Sequence, residues 1–463
     1  MERFGIPDRS QAAPEAPRRA PARRLLAAAL VALACVGAQT AAAQAAPATG
    51  SEPAAVGAES AESGFYTPPA TLPAQNGALV RTEPLPLAIS LPTLGGPFPG
   101  KATRLMYRST DSGGQPVAVT GAYIEPTAAW RGGGARPLVA VAPGTMGQGD
   151  ECAASKGLQY PILLEGDSLS VGYEDLSIYR LLASGVAVVV TDYVGLGATD
   201  RLHTYVNRVD GAHAVLDAVR AARSLPGTSL TPESRIGLYG YSQGGGATAA
   251  AAELAASYAP DVRLSGTYSG APPADLTETI KGIDGSALTG ALGWSLNGFL
   301  QAYPDLRPIA DAHLNDKGRA ALEELSGMCI GDSLIGYGFR RSSSWTKDGS
   351  SLSQIVEREP RIQEVLDEQR IGDRKPSGPV RVATGVQDDI VPHRQSRQMA
   401  VDWCRKGGNV TYKAIVLPNL GDKILTNHMV PLLTDQGDAI DWLKDRLEGK
   451  AAVSNCWSMP VQP

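Results

Sequence analysis

The chain has 463 residues, of which 43% are hydrophobic and 19% are charged, and it contains 52 glycines and 34 prolines. This length allows one large domain with an insertion or two domains, and the composition is typical of a globular, loop-rich protein with a sizeable core. The formal net charge is −5 and no long basic run follows the N-terminal region, which argues against a nucleic-acid-binding protein.

The N-terminal region has the organisation of a secretory signal peptide. Arginine pairs precede the short apolar run LLAAALVALACVGA, and small residues follow it. The run is too short for a comfortable membrane span. We therefore expect a signal peptide over residues 1–46 and a flexible linker over residues 47–63. A twin-arginine export route and lipid attachment at Cys35 stay open, although the residues before Cys35 fit a lipidation signal poorly.

Export would place the remaining cysteines in an oxidising compartment. Four follow the expected cleavage site, and this even number predicts two disulfide bonds among Cys152, Cys329, Cys404 and Cys456. Their spacing contains no C-x-x-C pattern, and the sequence has no zinc signature, phosphate loop or dinucleotide fingerprint. We therefore expect neither a metal ion nor an organic cofactor. The expected location is extracellular, with retention in the periplasm or cell envelope as the alternative.

Short runs rich in Val, Ile and Ala predict buried strands that alternate with helices. The predicted strands cover residues 116–126, 137–144, 186–193, 234–242, 263–270, 379–389 and 409–418. Helical periodicity covers residues 207–225, 245–259 and 436–450. This alternation predicts an α/β fold with a mostly parallel sheet and helices on both faces.

One interval between predicted strands is too long for a simple crossover. About 110 residues separate Gly270 from Val380, and they include the apolar segment SALTGALGWSLNGFLQAYP, which contains Trp294 and Phe299. We expect a helical cap inserted into a core domain, and the alternative is the ordinary core of a second domain. The predicted boundaries are 64–270 for the first part of the core, 271–378 for the cap and 379–463 for the second part.

The stretch GYSQGG, residues 240–245, lies between a predicted buried strand and a helix of small residues. A serine hydroxyl attacks a carbonyl only with a general base, an acid that orients the base, and donors for the oxyanion. A sharp strand-to-helix turn lifts Ser242 above the sheet and aims the Gln243 amide at the substrate oxygen. Gly240 and Gly244 fit because side chains would clash in such a turn. We predict that Ser242 is a nucleophile; a tight turn that merely contains serine is the alternative.

Chain order narrows the choice of partners, because α/β-hydrolases place the acid and then the histidine after the serine. The histidines after Ser242 are His313, His393 and His428. His313 lies in the predicted cap, and His393 is too near the candidate acids in sequence. His428 follows one further strand and is expected in a loop before the terminal helix. Asp388 and Asp389 follow a strand expected to break at Gly385, and neighbouring residues of an extended segment point to opposite sides.

We call the turn GYSQGG, residues 240–245, the elbow, and stretches outside it resemble one family. They are FYTPPATLP at 65–73, APGTMGQGDECAAS at 142–155, DYVGLGATD at 192–200 and DDIVP at 388–392. Together with the elbow and the late histidine, they are similar to the secretory lipase family, the lipase A type of capped α/β-hydrolase. The resemblance extends from about Phe65 to the end of the chain, although TNHMVPLL around the histidine matches only loosely. It implies Ser242 as nucleophile, Asp388 as acid and His428 as base.

The resemblance has two further implications. It implies that the loop after PLVAVAPG completes the oxyanion hole, where we expect the Thr145 amide to act with that of Gln243. It implies the disulfide pairs Cys152–Cys329 and Cys404–Cys456. A separate argument concerns Asp192, which ends a strand beside the site: because it precedes Ser242, it breaks the chain order, and we expect it to anchor a loop.

The expected function is that of a secreted serine ester hydrolase, a lipase that cleaves acylglycerol or other lipophilic esters through an acyl-enzyme. An acyltransferase or a peptidase with the same triad is the alternative. A non-catalytic binding module is a third hypothesis, although it would have no need of serine, acid and histidine in this order. The expected partner is a lipid or small-molecule ester, and a transient contact with a lipid interface is compatible with it.

Overall fold

The computed structural model describes residues 64–88, 98–159, 162–165 and 168–463. The predicted signal peptide and linker, residues 1–63, lie outside the described residues. In these described ranges, no helix has both the length and the hydropathy required to span a bilayer.

Strands and helices alternate along most of the described chain. The strands are β1 (Leu79–Leu85), β2 (Gly100–Thr110), β3 (Pro116–Pro126), β4 (Leu138–Ala142), β5 (Ile162–Glu165), β6 (Ser168–Val171), β7 (Ala187–Val194), β8 (Ile236–Tyr241), β9 (Leu264–Gly270), β10 (Val380–Gly385) and β11 (Val410–Ile415). The α-helices are α1 (Ala154–Gly157), α2 (Asp175–Ala183), α3 (Arg208–Ser224), α4 (Gln243–Tyr258), α5 (Leu276–Ile283), α6 (Ala291–Ala302), α7 (Arg307–His313), α8 (Asp316–Ser326), α9 (Ile330–Tyr337), α10 (Leu352–Arg358), α11 (Pro360–Glu368), α12 (His393–Arg405) and α13 (Thr426–Leu447).

The main sheet has the strand order β1-β2-β3-β7-β4-β8-β9-β10-β11. Strands β7, β4, β8, β9, β10 and β11 pair in parallel, whereas β1, β2 and β3 add an antiparallel edge beside β7. Strands β4 and β8 are in register, with Ala142 opposite Gly240, so their carboxyl ends meet at one edge of the sheet. The mostly parallel sheet predicted from the sequence is confirmed, and every predicted strand is present.

The antiparallel edge was not predicted from the sequence. Strand β1 contains Arg81, Glu83 and Pro84, and β2 has polar residues on both sides of the short apolar run Leu105–Tyr107. Their polar residues leave both strands without the long continuous apolar runs that identified the central strands, although β2 is buried at four consecutive positions, Arg104–Tyr107.

Helices cover both faces of the sheet, as expected for an α/β-hydrolase. On one face, α3, α4 and α12 pack with side chains such as Leu138 and Leu238. On the other face, α2 and α13 pack with Val139, Val141 and Tyr239. Successive residues of β4 therefore contribute to opposite cores, as the two-residue period of a strand requires.

Residues 276–368, all of which are described, form the seven helices α5–α11 between β9 and β10. They share an apolar cluster in which Trp294 is fully buried and donates from Nε1 to the Leu325 carbonyl. We call these residues the helical segment. It falls within the interval for which a cap was predicted.

The terminal helix begins earlier than predicted. Helix α13 starts at Thr426, ten residues before the predicted start at residue 436, so His428 lies in its first turn and not in a loop. The predicted start was too late because a proline usually ends a helical run, whereas Pro431 lies inside this helix. Gly385 accommodates it, since a Cβ there would lie 2.7 Å from Cγ of Pro431.

Candidate active site

Ser242 occupies the sharp turn between β8 and α4. Its backbone angles, φ 57° and ψ −123°, are rarely adopted by residues with a side chain. The turn is held because the Ser242 amide donates to the Gly270 carbonyl at 2.9 Å and the Gly246 amide donates to the Ser242 carbonyl at 3.0 Å. The surrounding sheet and helix thus impose a strained conformation on this serine.

The glycines of the motif are explained by contact between backbone segments. A Cβ on Gly240 would overlap the carbonyl oxygen of Gly244. A Cβ on Gly244 would overlap the carbonyl oxygen of Ala142, at the end of β4. The steric reason given for these glycines from the sequence agrees with these contacts, and the approach to Ala142 brings the loop after β4 next to Ser242.

Ser242, His428 and Asp388 form a continuous chain of hydrogen bonds. His428 Nε2 lies 2.9 Å from Oγ of Ser242, and His428 Nδ1 lies 2.7 Å from Oδ2 of Asp388. The other carboxylate oxygen of Asp388 accepts from the amides of Ile390 and Val391 at 3.1 and 2.9 Å. His428 and Asp388 are both buried. This is the geometry in which a carboxylate fixes an imidazole that can remove a proton from a serine.

The other candidate acid and histidines have different partners. β10 ends at Gly385, as expected, and the Asp389 carboxylate accepts from the backbone amide of Lys423. His393 Nε2 lies 3.1 Å from the Tyr412 hydroxyl. His313, the last residue of α7, has its Nε2 2.7 Å from a carboxylate oxygen of Glu359. Neither Asp389 nor His393 thus joins the hydrogen bonds around Ser242.

Asp192 is held by hydrogen bonds away from the Ser242 chain. Its carboxylate accepts from the Ser155 amide at 2.7 Å, from the Ser155 hydroxyl at 2.6 Å and from the Thr120 hydroxyl at 2.8 Å. Burial raises the pKa of this carboxyl group. These contacts tie the start of α1 to β3 and β7, which is an anchoring role for Asp192.

Gln243 and Thr145 are the residues whose backbone amides were expected to form the oxyanion hole. Gln243 is the first residue of α4, where a helix leaves its amide without an intrahelical acceptor. Thr145 lies in the loop after β4 and is buried. Among the described residues, neither amide has a hydrogen-bond acceptor. An acyl oxygen near Ser242 would supply one.

His203 contacts the site, and the sequence analysis did not identify it. Its Nδ1 donates to the Val194 carbonyl at 2.9 Å, which leaves Nε2 to accept from the Gln243 side-chain amide at 2.9 Å. Burial lowers the pKa of His203 to about 4, so the ring is neutral at ordinary pH. His203 therefore holds the Gln243 side chain. It was missed because it precedes Ser242, and the chain-order argument considered only later histidines.

A large apolar pocket opens onto Ser242 and Gln243. It lies between the elbow and the helical segment, and about 1160 Å³ of space, part of it open to solvent, separates their side chains. Phe299, Leu296 and Leu300 from the apolar stretch line it, whereas Trp294 packs into the core of the segment. Its other apolar wall residues include Leu276, Ile280, Ile283, Leu288, Leu292, Leu306, Ile309, Leu314, Leu352, Ile355, Val356, Ile362, Val365, Leu366, Ile390 and Val391.

Two disulfide bonds stabilise the described chain, and their pairing is the one implied by the resemblance. Cys152–Cys329 joins the segment after β4 to the helical segment, with the Cα atoms 5.3 Å apart. The same junction includes a hydrogen bond of 2.8 Å from the Ile330 amide to the Met146 carbonyl. Cys404–Cys456 joins α12 to the C-terminal residues. No set of three or more His, Cys, Asp or Glu side chains in the described ranges could hold a metal ion.

Comparison with known proteins gives matches over most of the chain. A protein titled "Probable inactive lipase" from Mycobacterium tuberculosis is 30% identical, and the alignment covers 83% of this chain and 82% of that protein. A secreted triacylglycerol lipase of Malassezia globosa is 27% identical over 68% of this chain and 64% of its own length. The crystal structure of Candida antarctica lipase A has a TM-score of 0.70, 21% identity and coverage of 85% and 88%, which supports a shared fold.

A family model gives the final assignment. The model described as "Secretory lipase" matches residues 158–455, which include Ser242, Asp388 and His428. The matched range is well over half of the chain. The chain belongs to the secretory lipase family.

Proposed function

We propose that this protein is a secreted serine ester hydrolase, a lipase that cleaves acylglycerol or other lipophilic esters. The observation that carries the proposal is the hydrogen-bonded chain of Ser242, His428 and Asp388, with distances of 2.9 and 2.7 Å, beside an apolar pocket. The family assignment supports the same reaction class.

In the proposed first step, Oγ of Ser242 attacks the ester carbonyl while Nε2 of His428 takes the hydroxyl proton. Asp388 holds the ring through Nδ1 and stabilises the imidazolium that forms. The Gln243 and Thr145 amides donate to the oxyanion, where each such donor typically contributes about 10²–10³-fold in rate.

In the second step, His428 returns the proton to the leaving alcohol and the ester bond breaks. An acyl group is then attached to Ser242. A water molecule attacks this acyl-enzyme with His428 again as the base, which releases the carboxylic acid and restores the serine.

The apolar pocket is the proposed binding site for the acyl chain. Its walls come mostly from the helical segment, and this supports the proposal that residues 271–378 act as a cap over the core parts 64–270 and 379–463. Its lining is almost entirely apolar from Ser242 to helices α10 and α11, which favours a hydrocarbon acyl chain over a polar acyl group.

Secretion is part of the proposal. The disulfides Cys152–Cys329 and Cys404–Cys456 are typical of proteins from oxidising compartments. The proposed signal peptide, residues 1–46, would be removed on export. N-terminal sequencing of the protein from the culture medium should begin close to residue 47, and an intact N-terminus on an intracellular product would contradict export.

The relative titled as inactive raises the alternative of a scaffold that has lost catalysis. The complete hydrogen-bond chain from Ser242 to Asp388 supports an active enzyme instead. An acyltransferase could use the same three residues, and the balance between water and another acyl acceptor decides between the two reactions.

An assay of the purified protein on 4-nitrophenyl esters from acetate to palmitate tests the proposal. We expect hydrolysis of octanoyl or longer esters, and complete loss of activity after treatment with a serine-directed phosphonate. Mass spectrometry should find one phosphonate adduct, on Ser242. A folded protein without activity or adduct would refute the proposal, and transfer to added alcohols in preference to water would indicate an acyltransferase.

A further inference from the structure

Two residues before α2 contact the loop that carries Thr145. The Gly144 amide donates a 2.9 Å hydrogen bond to Oε1 of Glu174. The Tyr173 hydroxyl donates a longer one, 3.3 Å, to the Thr145 carbonyl. Glu174 is buried, and a Cβ on Gly144 would overlap the Tyr173 hydroxyl. The loop and the start of α2 are therefore in direct contact.

These contacts fix the peptide groups on both sides of the Thr145 amide. The Pro143–Gly144 peptide is held at its N–H by Glu174 and at its carbonyl by the Tyr193 hydroxyl, which donates at 2.6 Å. The Thr145–Met146 peptide is held at its carbonyl by Tyr173. The peptide between them carries the Thr145 N–H, and it cannot rotate without disturbing a neighbouring hydrogen bond.

Glu174 is a costly residue for a merely structural contact. Its second carboxylate oxygen, Oε2, has no hydrogen-bond partner among the described residues. Burial raises the pKa of the side chain to about 7, because the charged form loses its hydration. An apolar side chain would avoid this cost but would leave the Gly144 amide without an acceptor.

We propose that Glu174 is a positioning residue for the oxyanion hole, which orients the Thr145 amide toward the substrate by holding the Gly144 amide. Tyr173 supports the same loop from the carbonyl side. This inference rests on the proposed function, because the Thr145 amide has a target only if an oxyanion forms at Ser242. Glu174 itself does not touch the reacting atoms.

Steady-state kinetics on 4-nitrophenyl octanoate test the inference. Glu174→Ala should lower kcat about 30-fold with KM changed less than about threefold, because a displaced donor is lost mainly in the transition state. Glu174→Gln should stay within about threefold of wild type, since its amide oxygen can accept from Gly144. Tyr173→Phe should lower kcat about fivefold. Phosphonate titration of active sites corrects each value for the folded fraction.

Asp175→Asn is the matched control. Asp175 is the neighbouring buried carboxyl group and has no hydrogen bond to residues 143–146 in the described chain. We expect its kcat to stay within about twofold of wild type. A Glu174→Ala enzyme with kcat within threefold of wild type would overturn the inference. So would a Glu174→Gln enzyme as impaired as Glu174→Ala, because the acceptor would then not be the relevant property.

Hydrogen exchange separates this inference from the proposed function. Amide exchange in a peptide covering residues 143–146 should be at least about tenfold faster in Glu174→Ala than in wild type, and unchanged in Glu174→Gln and Asp175→Asn. Unchanged exchange in Glu174→Ala would refute the contact as the restraint on the loop. If the wild type lacks esterase activity while exchange still rises, the proposed function fails and the restraint on the loop stands.

Discussion

The elbow around Ser242 and the helical segment, residues 276–368, contribute to the same pocket in different ways. At the elbow, backbone atoms determine the geometry: Gly240 and Gly244 are required by close carbonyl groups, and Ser242 is held in a strained conformation. In the helical segment, side chains determine the shape, and many apolar residues share the wall. A substitution at the elbow should therefore cause a large loss of kcat, whereas a substitution in the helical segment should change the preference for acyl chain length by a smaller factor.

The triad gives the largest expected effect at the elbow. Ser242→Ala should abolish ester hydrolysis, and Asp388→Asn and His428→Ala should each lower kcat about 10³-fold or more, by analogy with other triads. Turnover is measured with 4-nitrophenyl octanoate, and circular dichroism checks the fold. Activity of Ser242→Ala within tenfold of wild type, with an unchanged spectrum, would disprove the mechanism.

Gly244→Ala tests whether backbone contact limits the elbow. Its Cβ would overlap the Ala142 carbonyl oxygen, so either the elbow or the loop after β4 must move. We expect kcat to fall about 100-fold and the melting temperature to decrease, because a shift of about 1 Å at a reacting centre can cost this much.

Gly211→Ala in α3 is the matched helical control for Gly244→Ala. Its Cβ would lie 3.4 Å from the Ala247 Cβ, close to ordinary contact. We expect unchanged kcat and equal or higher stability, since alanine favours a helix over glycine. If both variants lose activity equally, general sensitivity of the core and not the elbow contact explains the loss.

The same difference explains which parts of the molecule could be predicted. Ser242, Asp388 and the strands beside them follow from local rules: continuous apolar runs for buried strands, glycines at a sharp turn, and a strand that ends at Gly385. Strands β1 and β2, which polar residues interrupt, and the Pro431-containing start of α13 were missed because their patterns are ambiguous.

His203 and Glu174 could not be predicted for a different reason. Each acts through a contact between distant parts of the chain, His203 with Gln243 and Glu174 with Gly144. No local spacing reports such a contact. The pocket could be expected from the apolar stretch around Phe299, but its wall also uses helices α10 and α11, whose sequences read as polar.

A bulky residue in the pocket should change chain-length preference without stopping catalysis. Val365→Trp on α11 places an indole in the wall, so we expect about tenfold lower kcat/KM for palmitate esters and less than threefold change for butyrate esters. Asp367→Trp, on the exposed side of the same helix, is the control and should change neither value. Equal loss on both esters in Val365→Trp would indicate a folding defect and not a pocket effect.

The two disulfides allow a direct comparison, because only Cys152–Cys329 joins the helical segment to the loop beside the elbow. Cys152→Ala/Cys329→Ala should lower kcat about fivefold as well as the melting temperature, since it releases the loop beside Thr145 from the helical segment. Cys404→Ala/Cys456→Ala should lower the melting temperature alone. Removal of a native disulfide typically costs about 2–5 kcal/mol.

Thiol titration of the denatured, non-reduced protein should find essentially no free thiol in the secreted chain. A stable count of two thiols would refute one of the pairs. Equal kinetic effects of the two double variants would show that Cys152–Cys329 has no special connection to the site.

The smallest effects are expected at the two residues that resemble triad members in the sequence. Asp389→Asn keeps an oxygen that can accept from the Lys423 amide, and His393→Ala removes a contact with Tyr412 that lies outside the Ser242 hydrogen-bond chain. Each should therefore lower kcat less than about tenfold, while the melting temperature decreases slightly. The measurement is kcat at several pH values, with Asp389→Asn compared with Asp388→Asn and His393→Ala compared with His428→Ala. If Asp389→Asn or His393→Ala proves the damaging member of its pair, the acid or the base lies at the other position, and the steric account of the elbow would survive without the present triad.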